Sequence, residues 1–336
     1  MPDLWYCFCF AILVCHPHRL AGDGGTQVEA KERLMFITQT RQRNVWSFIV
    51  DAISEAVGEP FVIRQRMKVS GGSICSTFKV DDGTTAYLVK LHRAEALWAF
   101  EAERAGLDLL RAASGALRVP EVVCTGSAQD RSWLVLEFIT LRPVTDESAA
   151  RLGVALAEVH RKLGPHYGWD RDNAIGSSRQ VNTPDDRWAS FFREQRLARQ
   201  LKMAEENRLD IALLRKGELV LEACDRMLEG HQPKPSLLHG DLWSGNLAVD
   251  GEGRAVLFDP AVYYGDRECD LAMTRLFGGV PDSFLRAYHD TWPIDHGFEQ
   301  RLHLYNLYHL LNHANMFGGG YVRQAEKAMD RILMSV

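Results

Sequence analysis

The chain has 336 residues, 46% of them apolar and 25% charged, and 39 Lys+Arg against 44 Asp+Glu give a formal net charge of −5. That balance excludes a disordered chain, and 27 Gly with 12 Pro exclude a collagen-like or low-complexity one. The slightly acidic charge, without a basic run, argues against a dedicated nucleic-acid binder.

Length alone sets a prior of about two domains. The cysteines (Cys7, Cys9, Cys15, Cys75, Cys124, Cys224, Cys269) form no C-x-x-C pair. They read as reduced thiols of a cytoplasmic protein, not as a disulfide framework or a zinc site.

The apolar run over residues 4–15 is too short for a membrane helix, which needs about 20 residues. It also lacks the basic flank and the cleavage site of a secretory signal, since Asp3 precedes it. Residues 1–34 are expected to form an N-terminal extension outside the functional fold, either disordered or a product of start-codon choice.

Apolar residues at Val45, Phe48, Ile49, Ala52, Ile53, Ala56 and Val57 predict a helix over 44–57, ended by Gly58. Strands are expected at 61–66, 74–80 and 84–91, the last two joined by the hairpin turn Asp81-Asp82-Gly83. A helix over 95–113 and strands at 122–125 and 133–139 follow. Residues 61–140 thus read as a five-stranded antiparallel sheet with one helix. Beyond Pro143 the pattern is mainly helical, at 145–163, 185–205, 209–230, 267–276, 281–291, 297–316 and 320–333, with short strands at 247–249 and 255–258. The fold class is α+β, in two lobes, 35–140 and 141–336. Ligands favour such a boundary.

The chemistry concentrates in His239-Gly240-Asp241-Leu242-Trp243-Ser244-Gly245-Asn246, followed by Leu257-Phe258-Asp259-Pro260. The spacing H-x-D-x-x-x-x-N, with a second Asp at the end of a short hairpin, suits phosphoryl transfer from a nucleoside triphosphate. That reaction needs an orienter for the attacking hydroxyl and hard oxygen ligands for Mg²⁺. Asp241 fits the first role, Asn246 and Asp259 the second. Each of these residues alone is as readily a turn former.

The smaller lobe supplies the counterpart. Lys90 stands on an interior strand among apolar neighbours and needs a partner there. Glu103 on the next helix is the partner this topology permits, with Glu101 as the alternative. Lys90 would then hold the α/β-phosphates, unless it merely guards a sheet edge. Gly71, Gly72 and Ser73 either cover the phosphates with backbone amides or form an ordinary turn. Glu137, Phe138 and Ile139 end a buried strand at the lobe boundary; in a two-lobe kinase this is the hinge, where main-chain groups would hold adenine.

On these motifs, together with Asp259-Pro260-Ala261-Val262-Tyr263-Tyr264-Gly265 and the stretches around Trp188 and 305–319, the chain resembles the fructosamine/ketosamine kinase family, within the protein-kinase-like and aminoglycoside phosphotransferase superfamily. The resemblance implies ATP and Mg²⁺ as cofactors and phosphorylation of the 3-hydroxyl of ketosamines, after which the phosphate leaves and the amine is freed. The acceptors would be small ketosamines or glycated protein lysines, with neither nucleic acid nor membrane involved, for a monomer or weak dimer. Two other readings are a kinase for an aminoglycoside, choline-like or homoserine-like alcohol, and a catalytically silent nucleotide-binding scaffold.

Candidate substrate residues are Trp243 (a wall on the sugar, or inter-lobe packing), Tyr264, Asp266 and Asp270. Asp266 stands where many relatives carry His, and is expected to alter charge near the metal or the substrate amine. Asp270 either braces the catalytic loop or touches substrate. His239 fixes the loop rather than acting as a base. His309, Asn312 and His313, on one helix face, read as satisfied polar groups. Cys75 reads as a small strand residue or a redox-sensitive thiol.

Overall fold

The computed structural model describes residues 44–69 and 74–335. The extension expected over 1–34 and the Gly71-Gly72-Ser73 turn lie outside the described residues. None of the described helices is long and apolar enough to cross a membrane.

The smaller lobe opens with helix α1 (Val45–Val57), stopped by Gly58 at φ +78°. Strands β1 (Gln65–Lys68), β2 (Ser76–Asp81) and β3 (Ala86–Arg93), helix α2 (Leu97–Ala113), and strands β4 (Val122–Ala128) and β5 (Arg131–Glu137) follow. They form the expected five-stranded antiparallel sheet, in the order β1-β2-β3-β5-β4. The β2–β3 turn is set by Asp82, whose Oδ1 accepts from the amides of Thr84 (2.8 Å) and Thr85 (2.7 Å), with Gly83 at φ +98°. The first strand begins at Gln65 rather than at residue 61. Phe61 instead packs with Ile49, Ile53, Val80, Val89 and Trp133 between α1 and one sheet face.

Alternation along β3 decides where the chemistry goes. Val89 and Leu91 point into that small core, so Leu88 and Lys90 take the opposite face, beneath α2.

The larger lobe begins at α3 (Asp146–His160). Its start is a capping box: Thr145 Oγ1 accepts from the Ser148 amide (3.3 Å) while Ser148 Oγ accepts from the Thr145 amide (2.8 Å). A small hairpin, β6 (Asn173–Ile175) with β7 (Ser178–Gln180), was not expected from the sequence. Then come α4 (Trp188–Phe191), a π-helical stretch over Phe192–Ala198, α5 (Arg199–Glu206) and α6 (Ile211–Met227). Four short strands carry the catalytic segment: β8 (Ser236–Leu238), β9 (Leu247–Val249), β10 (Ala255–Leu257) and β11 (Tyr263–Gly265). Helices α7 (Glu268–Leu276), α8 (Asp282–Thr291), α9 (Phe298–Phe317) and α10 (Gly320–Met334) complete the lobe. Helix α9 is enclosed on all faces from Leu304 to Asn312 and forms the centre of the main core with Leu156, Phe191, Phe284 and Leu271.

The lobes are joined by backbone as well as by side chains. Arg118 donates its amide to the Ala255 carbonyl (2.8 Å) and accepts from Leu257 (3.0 Å), while Arg142 exchanges both bonds with Val249 (2.7 and 2.9 Å). The β9–β10 hairpin is therefore flanked by chain from each side of the lobe junction.

Candidate active site

The loop 239–246 is closed at its base by two ladders. β8 pairs antiparallel with β11, Leu238 opposite Tyr263, and β9 pairs with β10, Leu247 opposite Leu257. Between them the Ala261 amide donates to His239 O (2.9 Å) and the Phe258 amide to Asn246 O (3.2 Å). This zipping places Asp241, Asn246 and Asp259 on one short track. The closeness of the strands demands glycine at 240: φ is +82°, and a Cβ there would stand 2.0 Å from Ala261 O. Asp259 itself adopts φ +55°, a left-handed conformation uncommon for a non-glycine residue and concentrated at functional sites.

His239 is fully buried and ties the loop together. Its Nδ1 accepts from the Asp241 amide (3.3 Å), which puts the ring proton on Nε2, donated to Phe258 O (3.0 Å). Burial holds its pKa below the usual value, so the neutral ring is the natural form. It fixes the loop, as expected. Asp270, at the start of α7, accepts the amides of His239 (2.7 Å) and Gly240 (2.9 Å). Behind it His160 Nε2 stands 3.2 Å from Oδ2, and His160 Nδ1 stands 2.8 Å from Tyr288 Oη. Burial alone would raise the Asp270 pKa; the His160 contact and the Gly240 amide outweigh it and hold the carboxyl below its ordinary range. With 1% exposure Asp270 is a brace and not a substrate contact.

Asp241 is held by Asn246, whose Nδ2 donates to the Asp241 carbonyl (2.9 Å) and to Oδ2 (3.0 Å). Burial, and then the negative charges of Asp259 and Asp270, push the Asp241 pKa up to about 7, against the Asn246 hydrogen bond. Across the lobe junction Lys90 Nζ bridges Glu103 Oε1 and Asp259 Oδ1, each at 2.5 Å. Glu103 is thus the partner and Glu101 is exposed. Lys90 is 6% exposed, and although burial disfavours its charge, Asp259 and then Glu103 hold its pKa well above the ordinary value. Breaking such a buried pair on one side typically costs about 3–5 kcal/mol.

Glu137 ends β5, but its amide donates to Glu121 O (2.9 Å) and its carboxylate binds Arg118 and the Glu121 amide (3.1 Å). Its N–H is therefore already committed. Phe138 and Ile139 lie past the strand end, half-buried, with Lys79 Nζ 4.6 Å from the Phe138 ring centre. Trp243 folds over Gly245, where a Cβ would sit 2.4 Å from the indole, and meets Phe277 edge-on at 5.8 Å. Phe277 continues to His313 (5.0 Å) and His313 to Tyr321 (4.9 Å), an aromatic wall beside the loop. The Tyr264 ring lies against Gly164, beyond the end of α3.

Asp266 corrects the expectation placed on it. It is 1% exposed, and its carboxylate takes His231 Nε2 (2.6 Å), Tyr305 Oη (2.5 Å) and the Glu268 amide (3.0 Å). Its oxygens are satisfied internally, so it pins α7 to α9 and to the loop after α6 instead of meeting a substrate amine. His231, Asp266 and Glu268 could group their ligand atoms within 4.8 Å, but both Glu268 oxygens are taken by Arg301 (2.7 and 2.8 Å), which already balances the charge. Cys75 hydrogen-bonds Thr77 (3.7 Å), and burial raises its thiol pKa, which disfavours the reactive thiolate. Cys75, Cys124, Cys224 and Cys269 are free thiols.

Sequence reasoning missed the supports. Asn173 donates to Val262 O (2.8 Å), and Gln180 to Ala261 O (2.9 Å), fixing the strand that follows Asp259. They sit in a stretch with no apolar period to flag it.

Residues 45–335 match the fructosamine kinase family. The chain is 43% identical over 289 residues to the probable ketoamine kinase of Synechocystis sp., spanning 86% of this chain and 97% of the relative. It is 38% identical over 290 residues to the probable ketoamine kinase YniA of Escherichia coli K12, spanning 86% and 99%. The crystal structure of a candidate fructosamine-3-kinase from Haemophilus somnus 129PT superposes with TM-score 0.79 at 30% identity, covering 86% of this chain and 97% of that one. Aminoglycoside phosphotransferase APH(4)-Ia shares the fold, with TM-score 0.59 at 17% identity over 87% and 98% of the two chains.

Proposed function

Since the chain belongs to the fructosamine kinase family, and is therefore a phosphotransferase acting on a hydroxyl group, we propose that it moves the γ-phosphoryl group of Mg·ATP to the 3-hydroxyl of a ketosamine. The observation that carries this reading is the Lys90 ammonium held between Glu103 and Asp259, facing a loop that presents Asp241 and Asn246.

Asp241 receives the acceptor hydroxyl, orients it in line with the phosphoryl group and takes its proton as the bond to phosphorus forms. Lys90, kept charged by its two carboxylates, offers its ammonium to the α/β-phosphates. The main chain at Phe138 and Ile139 meets adenine. Asn246 and Asp259 would hold Mg²⁺. The donor set fits a hard cation: the Asn246 amide nitrogen is committed to Asp241, which turns its carbonyl oxygen away, and the Asp259 side chain is 49% exposed. When bound, the ion would supply Lewis-acid neutralisation of the charge on the transferring phosphoryl group. Positioning and electrostatics supply the rate, with no covalent enzyme intermediate.

On the acceptor side Trp243 and Phe277 form a wall for the sugar and its amine substituent. A phosphate placed on C3 stands next to the C2 carbonyl: loss of a C1 proton gives the 1,2-enaminol, whose electrons expel inorganic phosphate from C3. Water then hydrolyses the resulting C1 imine to the free amine and a 3-deoxyosone, which makes the overall outcome a deglycation. The adducts in question are ribulosamines, erythrulosamines or fructosamines, free or on protein lysines, met in the cytoplasm. The preference for this class over an aminoglycoside rests on relatives matched along nearly their whole length at about 40% identity.

Phosphate transfer from ATP to ribulosyl-lysine, kanamycin and choline, measured side by side, tests the reading. Turnover on ribulosyl-lysine with kcat/KM at least about 100-fold above the other two is expected. A preference for kanamycin or choline would favour the wider kinase class, and silence on all three the scaffold.

A further inference from the structure

Helix α9 runs through the centre of the larger lobe, and most of its polar side chains have partners. Tyr305 donates to Asp266 (2.5 Å), Tyr308 to Gln180 Oε1 (2.7 Å), and Asn312 Oδ1 accepts from Gln200 (3.2 Å). Asn306 Oδ1 and His309 Nδ1 have none, and of the two residues His309 is the one that faces the catalytic loop. It is 4% exposed, and its Nδ1 is enclosed without a hydrogen-bond partner. A buried polar atom left unpaired costs about 1–3 kcal/mol, and its presence calls for a reason.

The reason lies in front of it: Nδ1 stands 4.0 Å from Asp241 Oδ1. Burial, and then the neighbouring His313, hold the His309 pKa down to about 3, so the ring is neutral and carries one proton. Facing a carboxylate, the tautomer with its hydrogen on Nδ1 is the attractive one, whereas a lone pair there would repel the oxygen. Asn246 already takes Oδ2, which leaves Oδ1 as the oxygen His309 can reach. Catalytic hydrogen bonds are often long in a ligand-free site and tighten when reactants bind.

We propose that His309 is a positioning residue for phosphoryl transfer: its Nδ1–H anchors Asp241 Oδ1, opposite Asn246 on Oδ2, so that the carboxylate meets the acceptor hydroxyl in a single rotamer. The proposal rests on the kinase reading above for its consequence and on geometry alone for the contact. Two anchors at opposite oxygens stop rotation about the Cβ–Cγ bond. One anchor leaves the carboxylate free to turn out of line, and small misplacements of this kind cost large factors in rate.

The test compares three substitutions. In His309→Asn the amide nitrogen occupies the place of Nδ1; in His309→Gln it occupies the place of Nε2; His309→Leu removes both. Turnover should fall about 10- to 100-fold in the Leu and Gln variants and recover to within about threefold of wild type in the Asn variant, with KM for ATP unchanged throughout. Equal losses in the Asn and Gln variants, or no loss in either, would overturn the proposal. If the Leu variant does not fold, the Asn–Gln pair decides. A second readout needs no substrate. Long-range ¹⁵N–¹H NMR of the histidine rings, with the His309 signals identified by their absence from His309→Asn, should show the Nδ1–H tautomer and a shift in Asp241→Asn. An Nε2–H tautomer indifferent to Asp241 would refute the contact. Should the wild type phosphorylate no ketosamine, the proposed function fails separately, and the NMR result still stands or falls by itself.

Discussion

Asp259, two residues past the end of β10, adopts a left-handed conformation, and its carboxylate meets Lys90 on the other lobe. Asp241 and Asp259 thus stand on opposite sides of the proposed transfer, and their variants should differ in kind. Asp241→Ala should lower turnover by about three orders of magnitude or more while leaving nucleotide affinity nearly unchanged, because the orienter of the hydroxyl is lost. Asp259→Ala should instead weaken Mg·ATP binding, read by calorimetry at several Mg²⁺ concentrations. Near-normal turnover in both would contradict the assignment. These residues, with Lys90 and Glu103, were legible because motif spacing and strand alternation are local properties. Asp266 was not. Its partners His231 and Tyr305 lie 35 and 39 residues away in sequence, so its burial and its satisfaction were both hidden. With its oxygens committed internally, Asp266→Asn should lower the thermal midpoint without changing KM for any acceptor; a selective KM change would restore it to the substrate side.

At the level of elements, the loop 239–246 depends on two close approaches, one at Gly240 and one at Asp270. Gly240→Ala would drive a Cβ into the Ala261 carbonyl at a positive φ, and a loss of at least about 2 kcal/mol in denaturant unfolding is expected. Asp270 predicts a pH effect with a definite sign. Its folded pKa lies below the usual value, so its contribution to stability is complete above the unfolded-state value of about 3.9 and is lost as pH falls through the folded value. Wild type should therefore lose thermal midpoint steeply below about pH 4, and Asp270→Asn, already weaker at neutral pH, should show a flatter acid limb. Parallel acid limbs would show that the carboxylate is not what holds the loop. The helices and the sheet followed hydrophobic period closely, with ends displaced by a few residues at most. The β6–β7 hairpin escaped because Asn173, Ser178 and Gln180 are buried polar residues, satisfied by partners that sequence alone does not reveal.

Across the whole molecule, the family match begins at residue 45 and the relatives are spanned almost end to end by 86% of the chain. A chain starting at Met35 should accordingly keep full turnover and its thermal midpoint, and a loss of either would give residues 1–34 a role in the fold. The kinase-like fold class was readable from the succession of alternating and then helical periods along the sequence. The backbone exchange of Arg118 and Arg142 with the catalytic hairpin was not, since irregular segments carry no pairing signal. The most direct test of the account is the position of the new phosphate. Ribulosyl-lysine incubated with Mg·ATP and the enzyme, followed by ³¹P–¹H correlation NMR, should give a phosphomonoester on the C3 oxygen, absent with Asp241→Ala, followed by release of inorganic phosphate and free lysine. A phosphate on another hydroxyl, or the same product from Asp241→Ala, would contradict it.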